Sequence, residues 1–100
     1  MWRGMLMAAV TMAATACGGI SKQEASRQVD QLVVLYQENR PQFVVQKQQL
    51  EQASSCSRTS ALREAVDDKV RATAMSPDQN ETVKLVKMEL EQAEKTCRAK

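Results

Sequence analysis

The chain is predicted to be all-α: a short helical bundle with a C-terminal antiparallel helical hairpin closed by a disulfide, preceded by a Pro-kinked heptad helix. Three observations predict this class. Residues with high helix propensity (Ala, Gln, Glu, Lys, Leu and Met) dominate the sequence. Glycine and proline, which interrupt helices, occur only 3 and 2 times. Apolar residues recur at the three- and four-residue spacing of one helix face.

The first sixteen residues have the features of an export signal. Arg3 supplies a positive charge, and the run from Met5 to Ala14 is apolar except for Thr11. A basic start, an apolar run and small residues at the end are typical of a secretory signal. At about 10 residues the run is too short to cross a bilayer, which takes about 20. We therefore expect the signal 1–16 to be removed.

The signal ends at Ala14-Thr15-Ala16-Cys17, where the chain resembles the lipobox of bacterial lipoproteins. In that family two small residues precede a cysteine that is acylated, and Ala14 stands where the family usually has leucine. The resemblance implies that Cys17 is lipidated and held in the membrane by its acyl chains. Stable anchoring takes more than one such chain. Gly18 in place of an inner-membrane retention Asp implies the periplasmic face of the outer membrane. Ala14-Thr15-Ala16 also fits the A-x-A cleavage site of an ordinary secreted protein, which would leave Cys17 a free thiol.

After a predicted tether of residues 17–23, residues 24–55 form what we call the heptad segment. Its apolar residues follow a seven-residue repeat, the signature of a helix that packs along another helix. The resulting seam consists of Val29, Leu32, Tyr36, Phe43 and Leu50. We predict it to be a partner-binding seam, although it could also self-associate or pack on the hairpin of the same chain.

Pro41 interrupts the heptad segment. A proline inside a helix removes a backbone hydrogen bond and costs about 3 kcal/mol. Asn39 is a suitable N-cap for a new helix that has Pro41 in its first turn. We predict helices near 22–38 and 40–55. A single kinked helix is the alternative, because the heptad register survives across the proline.

Residues 56–100 are predicted to form the antiparallel hairpin. At its turn, Ser76 is an N-cap type, Pro77 fits the first helical position and Gln79 can close a capping box. Both helices have regularly spaced apolar faces, made of Leu62, Val66 and Val70 before the turn and Val83, Val86, Leu90 and Ala93 after it. The four-residue spacings Glu91–Lys95 and Glu94–Arg98 predict ion pairs on the last helix.

The hairpin register predicts how the cysteines are used. Residues that face each other across such a hairpin have numbers that sum to about 153, so the apolar faces and the pair Cys56–Cys97 select the same register. A disulfide there would close a loop of about 40 residues and stabilise the fold by roughly 4 kcal/mol. Lipidation of Cys17 then leaves an even number of cysteines, as an exported protein requires. Metal binding or redox activity fits two such distant cysteines less well.

Composition argues against several functions. The chain has 14 Lys and Arg against 12 Asp and Glu, so it lacks the basic excess that nucleic-acid binding requires. It has no histidine, no glycine-rich phosphate loop and no metalloprotease motif. Glu64, Asp67 and Asp68 are surrounded by Arg63, Lys69 and Arg71, as on a solvated surface. We expect no catalytic residues, no cofactor, no metal ion, no nucleic acid and no small-molecule substrate.

These observations predict a small lipid-anchored envelope lipoprotein that acts as a non-catalytic protein-interaction module. Such modules are accessory to envelope assemblies for secretion, conjugation, entry exclusion or phage lysis. The alternative is a structural protein, because Cys17, the heptad segment and the final Lys100 resemble the murein lipoproteins, whose terminal lysine is bonded to peptidoglycan. Pro41 and the internal cysteine pair depart from that family. A periplasmic inhibitor or chaperone is a third hypothesis.

Overall fold

The structure is a computed structural model that describes residues 20–100. The predicted signal 1–16, the predicted lipidation site Cys17 and the first part of the tether lie outside the described residues. Within 20–100 the chain forms four helices and no strand. They are α1 (Lys22–Glu38), α2 (Arg40–Gln52), α3 (Ser57–Ala72) and α4 (Pro77–Arg98). The predicted all-α class is confirmed, although α1 begins before the end of the predicted tether at residue 23.

The heptad segment is broken at Asn39, as predicted. The backbone N–H of Asn39 donates to the carbonyl of Leu35 at 2.8 Å and closes α1. Its side-chain oxygen accepts from the backbone N–H of Gln42 at 3.4 Å and starts α2. Pro41 lies in the first turn of α2, where helical N–H groups have no intrahelical partner in any case. Two helices are therefore formed, and the single kinked helix is not.

α3 and α4 form the predicted hairpin, but its turn is held differently from the prediction. Ser76 occupies the N-cap position of α4, yet its hydroxyl makes no capping hydrogen bond, so the capping box is absent. Instead, the side-chain amide of Asn80 donates to the carbonyl of Val70 at 2.9 Å and to the hydroxyl of Thr73 at 3.2 Å. Asn80 thereby ties the first turn of α4 to the end of α3.

α1 crosses α3 instead of running along it. Gln28 and Asp30 are neighbours on α1, yet Gln28 accepts from Arg58 Nε at 2.9 Å and Asp30 lies 2.8 Å from Lys69 Nζ. Arg58 and Lys69 are separated by about 16 Å of helix rise along α3. Only a helix that lies across α3 can reach both. α1 therefore begins over the outer side of α3 and ends near α4.

α2 runs parallel to α4. Near its start, the Gln37 amide at the end of α1 donates to the hydroxyl of Thr82 at 3.2 Å. Farther along, Lys47 Nζ lies 2.7 Å from Glu89 Oε1. After the end of α2, the carbonyl of Ala53 accepts from Lys100 Nζ at 3.3 Å. The four helices therefore form two layers, with α1 and α2 lying on the α3–α4 hairpin.

A single apolar core joins the two layers. Its largest fully buried side chains come from all four helices: Val29, Phe43, Leu62, Val66, Val86 and Leu90. Each contributes roughly 1.5–3 kcal/mol through the apolar surface that it removes from water. The one buried polar side chain among residues 20–100, Thr59, donates its hydroxyl to the Leu50 carbonyl at 3.0 Å. The heptad segment and the hairpin thus share one core.

Candidate functional site

The predicted Cys56–Cys97 disulfide is formed, with 6.0 Å between the two Cα atoms and a sequence separation of 41. Cys56 directly precedes α3, and Cys97 lies in the last turn of α4. The bond therefore closes the open end of the hairpin in the register that the apolar faces predicted. Cys97 is buried and Cys56 half-buried, so most of the bond is covered by the fold.

The predicted partner-binding seam needs correction. Four of its five members face the hairpin and are almost fully buried: Val29 at 0%, Leu32 at 6%, Phe43 at 2% and Leu50 at 2% exposure. Tyr36 is half-buried, with its ring 5.0 Å from the Phe43 ring in an edge-on arrangement. The chain's own α3 and α4 cover the four buried members, so a partner cannot reach them in this fold, whereas Tyr36 is covered only in part. The seam is a core element.

A network of charged side chains, which sequence reasoning did not identify, bridges α3 and α4. Arg63 lies 2.6 Å from Asp67 and 3.1 Å from Glu94. Lys87 lies 2.6 Å from Glu91 and 3.3 Å from Asp67. The signal was present in the sequence, because Arg63–Asp67 and Lys87–Glu91 have the four-residue spacing of helix ion pairs.

Of the two ion pairs predicted on the last helix, only one forms. Glu94 lies 3.4 Å from Arg98 Nη2, as expected. Glu91 pairs with Lys87, one turn earlier, and Lys95 stays exposed. Lys87 also reaches Asp67 across the hairpin, a second contact that Lys95 does not make. Lys95 is thus available for contacts outside the bundle.

The pKa shifts of Glu94 and Lys87 favour the charged forms of these two side chains. The Ser60 hydroxyl and the Arg63 guanidinium lower the pKa of Glu94, against the opposing effect of burial. The hydrogen bond from Lys87 to Glu91 raises the pKa of Lys87, again against burial. A general acid or base needs a pKa near the working pH, and these shifts go the other way. The network fits a structural role better than proton transfer.

A groove of about 500 Å³ lies between the start of α1 and the outer side of α3. Ile20, the first described residue, lines this groove and packs on the core, so the chain enters the bundle here. The other lining residues mix small apolar side chains with charges of both signs, as at Ala61, Lys22 and Asp68. The groove therefore lies where the described part of the chain begins.

Two further findings concern the described part of the chain. Among residues 20–100, no group of three or more Cys, Asp or Glu side chains is arranged to hold a metal ion. None of α1–α4 combines the length and the apolar character that a bilayer-spanning helix needs. The chain matches no protein-family model, no curated protein and no solved structure. Function is therefore inferred from the residues and their geometry.

Proposed function

We propose that the protein is a small envelope lipoprotein, anchored by an acylated Cys17 at the periplasmic face of the outer membrane, that acts as a non-catalytic protein-interaction module. The observation that carries this proposal is the use of the three cysteines. Cys56 and Cys97 are joined to each other, which leaves Cys17 as the remaining thiol. Cys17 follows directly on the small residues that end an export signal, where acylation would consume that thiol.

The short connection to the bundle supports a membrane-proximal position. Only Gly18, Gly19 and Ile20 separate Cys17 from Ser21, the N-cap of α1. A fully extended chain spans at most about 3.6 Å per residue, so an acylated Cys17 lies within about 14 Å of the bundle. The start of α1 and the groove beside α3 are then the parts of the bundle nearest to the lipid.

The surface of the bundle supports an interaction role. Several large apolar side chains remain exposed, among them Val44, Leu85 and Met88. Such residues outside the core are the available contacts for a protein partner, for example within a secretion, conjugation, entry-exclusion or lysis assembly.

Covalent tethering to peptidoglycan through Lys100 has less support. The murein lipoproteins that the chain resembles in outline have one long helix, whereas this chain folds back into a bundle of four. The Lys100 amine also donates to the Ala53 carbonyl within the same chain. Release of the protein from sacculi only after muramidase digestion would establish the tether. Complete extraction by detergent would exclude it.

The intact mass of the full chain, expressed in a bacterium that processes lipoproteins and extracted from its membranes, tests the proposal. We expect a chain that starts at Cys17, carries acyl mass and takes up two alkyl groups only after reduction. The Cys17→Ala variant is the matched control, and it should lose the acyl mass and leave the membrane fraction while its disulfide stays intact. A wild-type chain that starts at Cys17 without acyl mass, with one thiol alkylated before reduction, would contradict the proposal.

Chemical cross-linking in cells, followed by isolation of the protein, tests the interaction role. We expect cross-linked species from the wild type that the Cys17→Ala variant forms less well, because the anchor holds the bundle near its partner. Absence of any cross-linked species from membrane-bound wild type would contradict an interaction module.

A further inference from the structure

α4 carries a second regular stripe on the side opposite its buried face. Its members follow each other at intervals of four and three residues, the spacing of a coiled-coil seam. The α4 stripe consists of Glu81, Leu85, Met88, Gln92 and Lys95. All five are exposed, and Leu85 and Met88 have exposed fractions of 40% and 62%. Two large apolar side chains thus lie at the centre of an exposed helix face with polar residues on both sides, and one of these, Gln92, accepts from Lys47 Nζ of α2 at 3.0 Å.

The charged ends of the stripe are not used by the bundle. Glu81 and Lys95 form no ion pair with any residue between 20 and 100, although most charged side chains on α3 and α4 do. Within α4 itself they are separated by about 21 Å of helix rise, too far to meet each other. The stripe therefore presents one acidic end and one basic end to its surroundings.

The positions of these charges are symmetric about Met88. Glu81 lies seven residues before Met88, and Lys95 lies seven residues after it. When two such helices pair antiparallel about Met88, Glu81 of each copy lies level with Lys95 of the other copy. Parallel pairing would bring like charges together at both ends and is disfavoured. The pattern is self-complementary, as a two-fold interface requires.

We propose that the α4 stripe is a self-association surface, on which a second copy of this chain packs antiparallel around a two-fold axis at Met88. Leu85 and Met88 form the apolar centre, and the two Glu81–Lys95 pairs fix direction and register. Val44 on α2, itself 43% exposed, lines a groove between α2 and α4 together with Lys47 and Glu89. The inference rests on described residues alone and does not depend on the lipid anchor.

The size of the stripe predicts a weak dimer in solution. One helix face covers less than the roughly 1,200–2,000 Å² of a stable protein interface. We expect a dissociation constant in the micromolar range. Confinement of both copies to one membrane would raise their effective concentration and favour the pair without any new contact.

Zero-length carbodiimide cross-linking of the detergent-extracted full chain tests the geometry directly. This reagent joins a carboxylate to an amine only when they touch. We expect a Glu81–Lys95 cross-link by mass spectrometry, found in the dimer band and absent from the monomer band. Because the two residues are about 21 Å apart along one helix, such a product can form only between two copies. A dimer band without this cross-link would overturn the antiparallel arrangement.

Charge reversal distinguishes a dimer held by the Glu81–Lys95 ion pairs from nonspecific association. In sedimentation experiments we expect Glu81→Lys alone, and Lys95→Glu alone, to weaken self-association by about tenfold. The double variant Glu81→Lys/Lys95→Glu should restore it, because the pairs are remade with reversed signs. Failure of the double variant to regain association, while its circular dichroism matches the wild type, would overturn the proposal.

Two methionines provide a matched control for the apolar centre. Met88→Glu places two carboxylates at the two-fold axis and should reduce self-association by about a hundredfold, because like charges then face each other. Met75→Glu changes an even more exposed methionine, 93% exposed in the α3–α4 turn, and should leave self-association unchanged. Equal effects of the two variants would overturn the proposal. So would a wild-type chain that stays monomeric at a concentration about a hundredfold above the expected dissociation constant.

Discussion

The molecule contains two seven-residue repeats, one buried in the core and the other exposed on the surface. The seam of the heptad segment, Val29 to Leu50, is folded against the hairpin and forms much of the core. The α4 stripe, Glu81 to Lys95, has the same spacing but faces outward. The difference lies in composition. A seam that is apolar along most of its length finds cover within its own chain, whereas a stripe with a short apolar centre and charged ends tolerates exposure. Spacing identifies a face of a helix, and the residues on that face decide what covers it.

Truncation of one large side chain in each repeat gives the largest contrast. Phe43→Ala should lower the free energy of unfolding by about 3–5 kcal/mol, because it leaves a cavity between the two layers. Met88→Ala, on the exposed stripe, should change it by about 0.5 kcal/mol or less. Urea unfolding of both variants, far below the concentration at which the chain self-associates, measures the difference. Similar losses in the two variants would mean that the seam is not buried as described.

Removal of the disulfide measures how much the cross-link between α3 and α4 contributes to stability, separately from the buried seam. The double variant Cys56→Ser/Cys97→Ser should lose roughly 4 kcal/mol of stability, since the unfolded chain gains the freedom that the cross-link removes. Reductant should bring the wild type to the same stability and leave the double variant unaffected. If reductant leaves the stability of the wild type unchanged, the cross-link is not formed.

The cap at Asn39 tests how the seam is divided between α1 and α2. Asn39→Ala removes the side-chain acceptor for the Gln42 N–H and should cost about 1 kcal/mol. Gln49→Ala, on the exposed side of α2, is the control and should change stability by a few tenths of a kcal/mol at most. Equal, near-zero effects in urea unfolding would argue for a continuous helix across Pro41.

The smallest effect concerns pH and the charged network of the hairpin. Because the folded-state pKa of Glu94 is lowered, its ionised form stabilises the fold above the ordinary carboxyl pKa of 4.5. That stabilisation is lost as the pH falls through the lowered folded-state pKa. Glu94→Gln should therefore show a weaker loss of stability on acidification than the wild type. Glu64→Gln, which removes a carboxylate that contacts no cation among residues 20–100, should keep the wild-type profile in thermal melts recorded against pH.

The sequence was sufficient to predict the features that depend on local chemistry or on one register. Asn39 and Pro41 predicted the break between α1 and α2, and the apolar faces with the cysteines predicted the Cys56–Cys97 bond. What it could not predict is the packing of α1 and α2 on the hairpin. Periodicity gives the apolar face of a helix but not the surface that buries it, so the seam looked like a partner surface.

Competing side chains account for the remaining differences. The Ser76 capping box is absent where the Asn80 amide holds the turn. The Glu91–Lys95 pair is absent because Lys87 contacts both Glu91 and Asp67. Each alternative has good local spacing, and only the tertiary arrangement of α3 and α4 decides between them. The lipid anchor at Cys17 lies outside the described residues and stays a prediction.

Hydroxyl-radical footprinting of the full chain, at a concentration below self-association, tests the contrast between the two repeats most directly. Modification rates are compared with those of the same residues in the urea-unfolded chain. We predict strong protection of Phe43 and Leu50, together with near-unfolded rates at Leu85 and Met88. If Phe43 and Leu50 react as fast as Met88 relative to their unfolded rates, the seam is open to partners and the assignment of the two repeats is wrong.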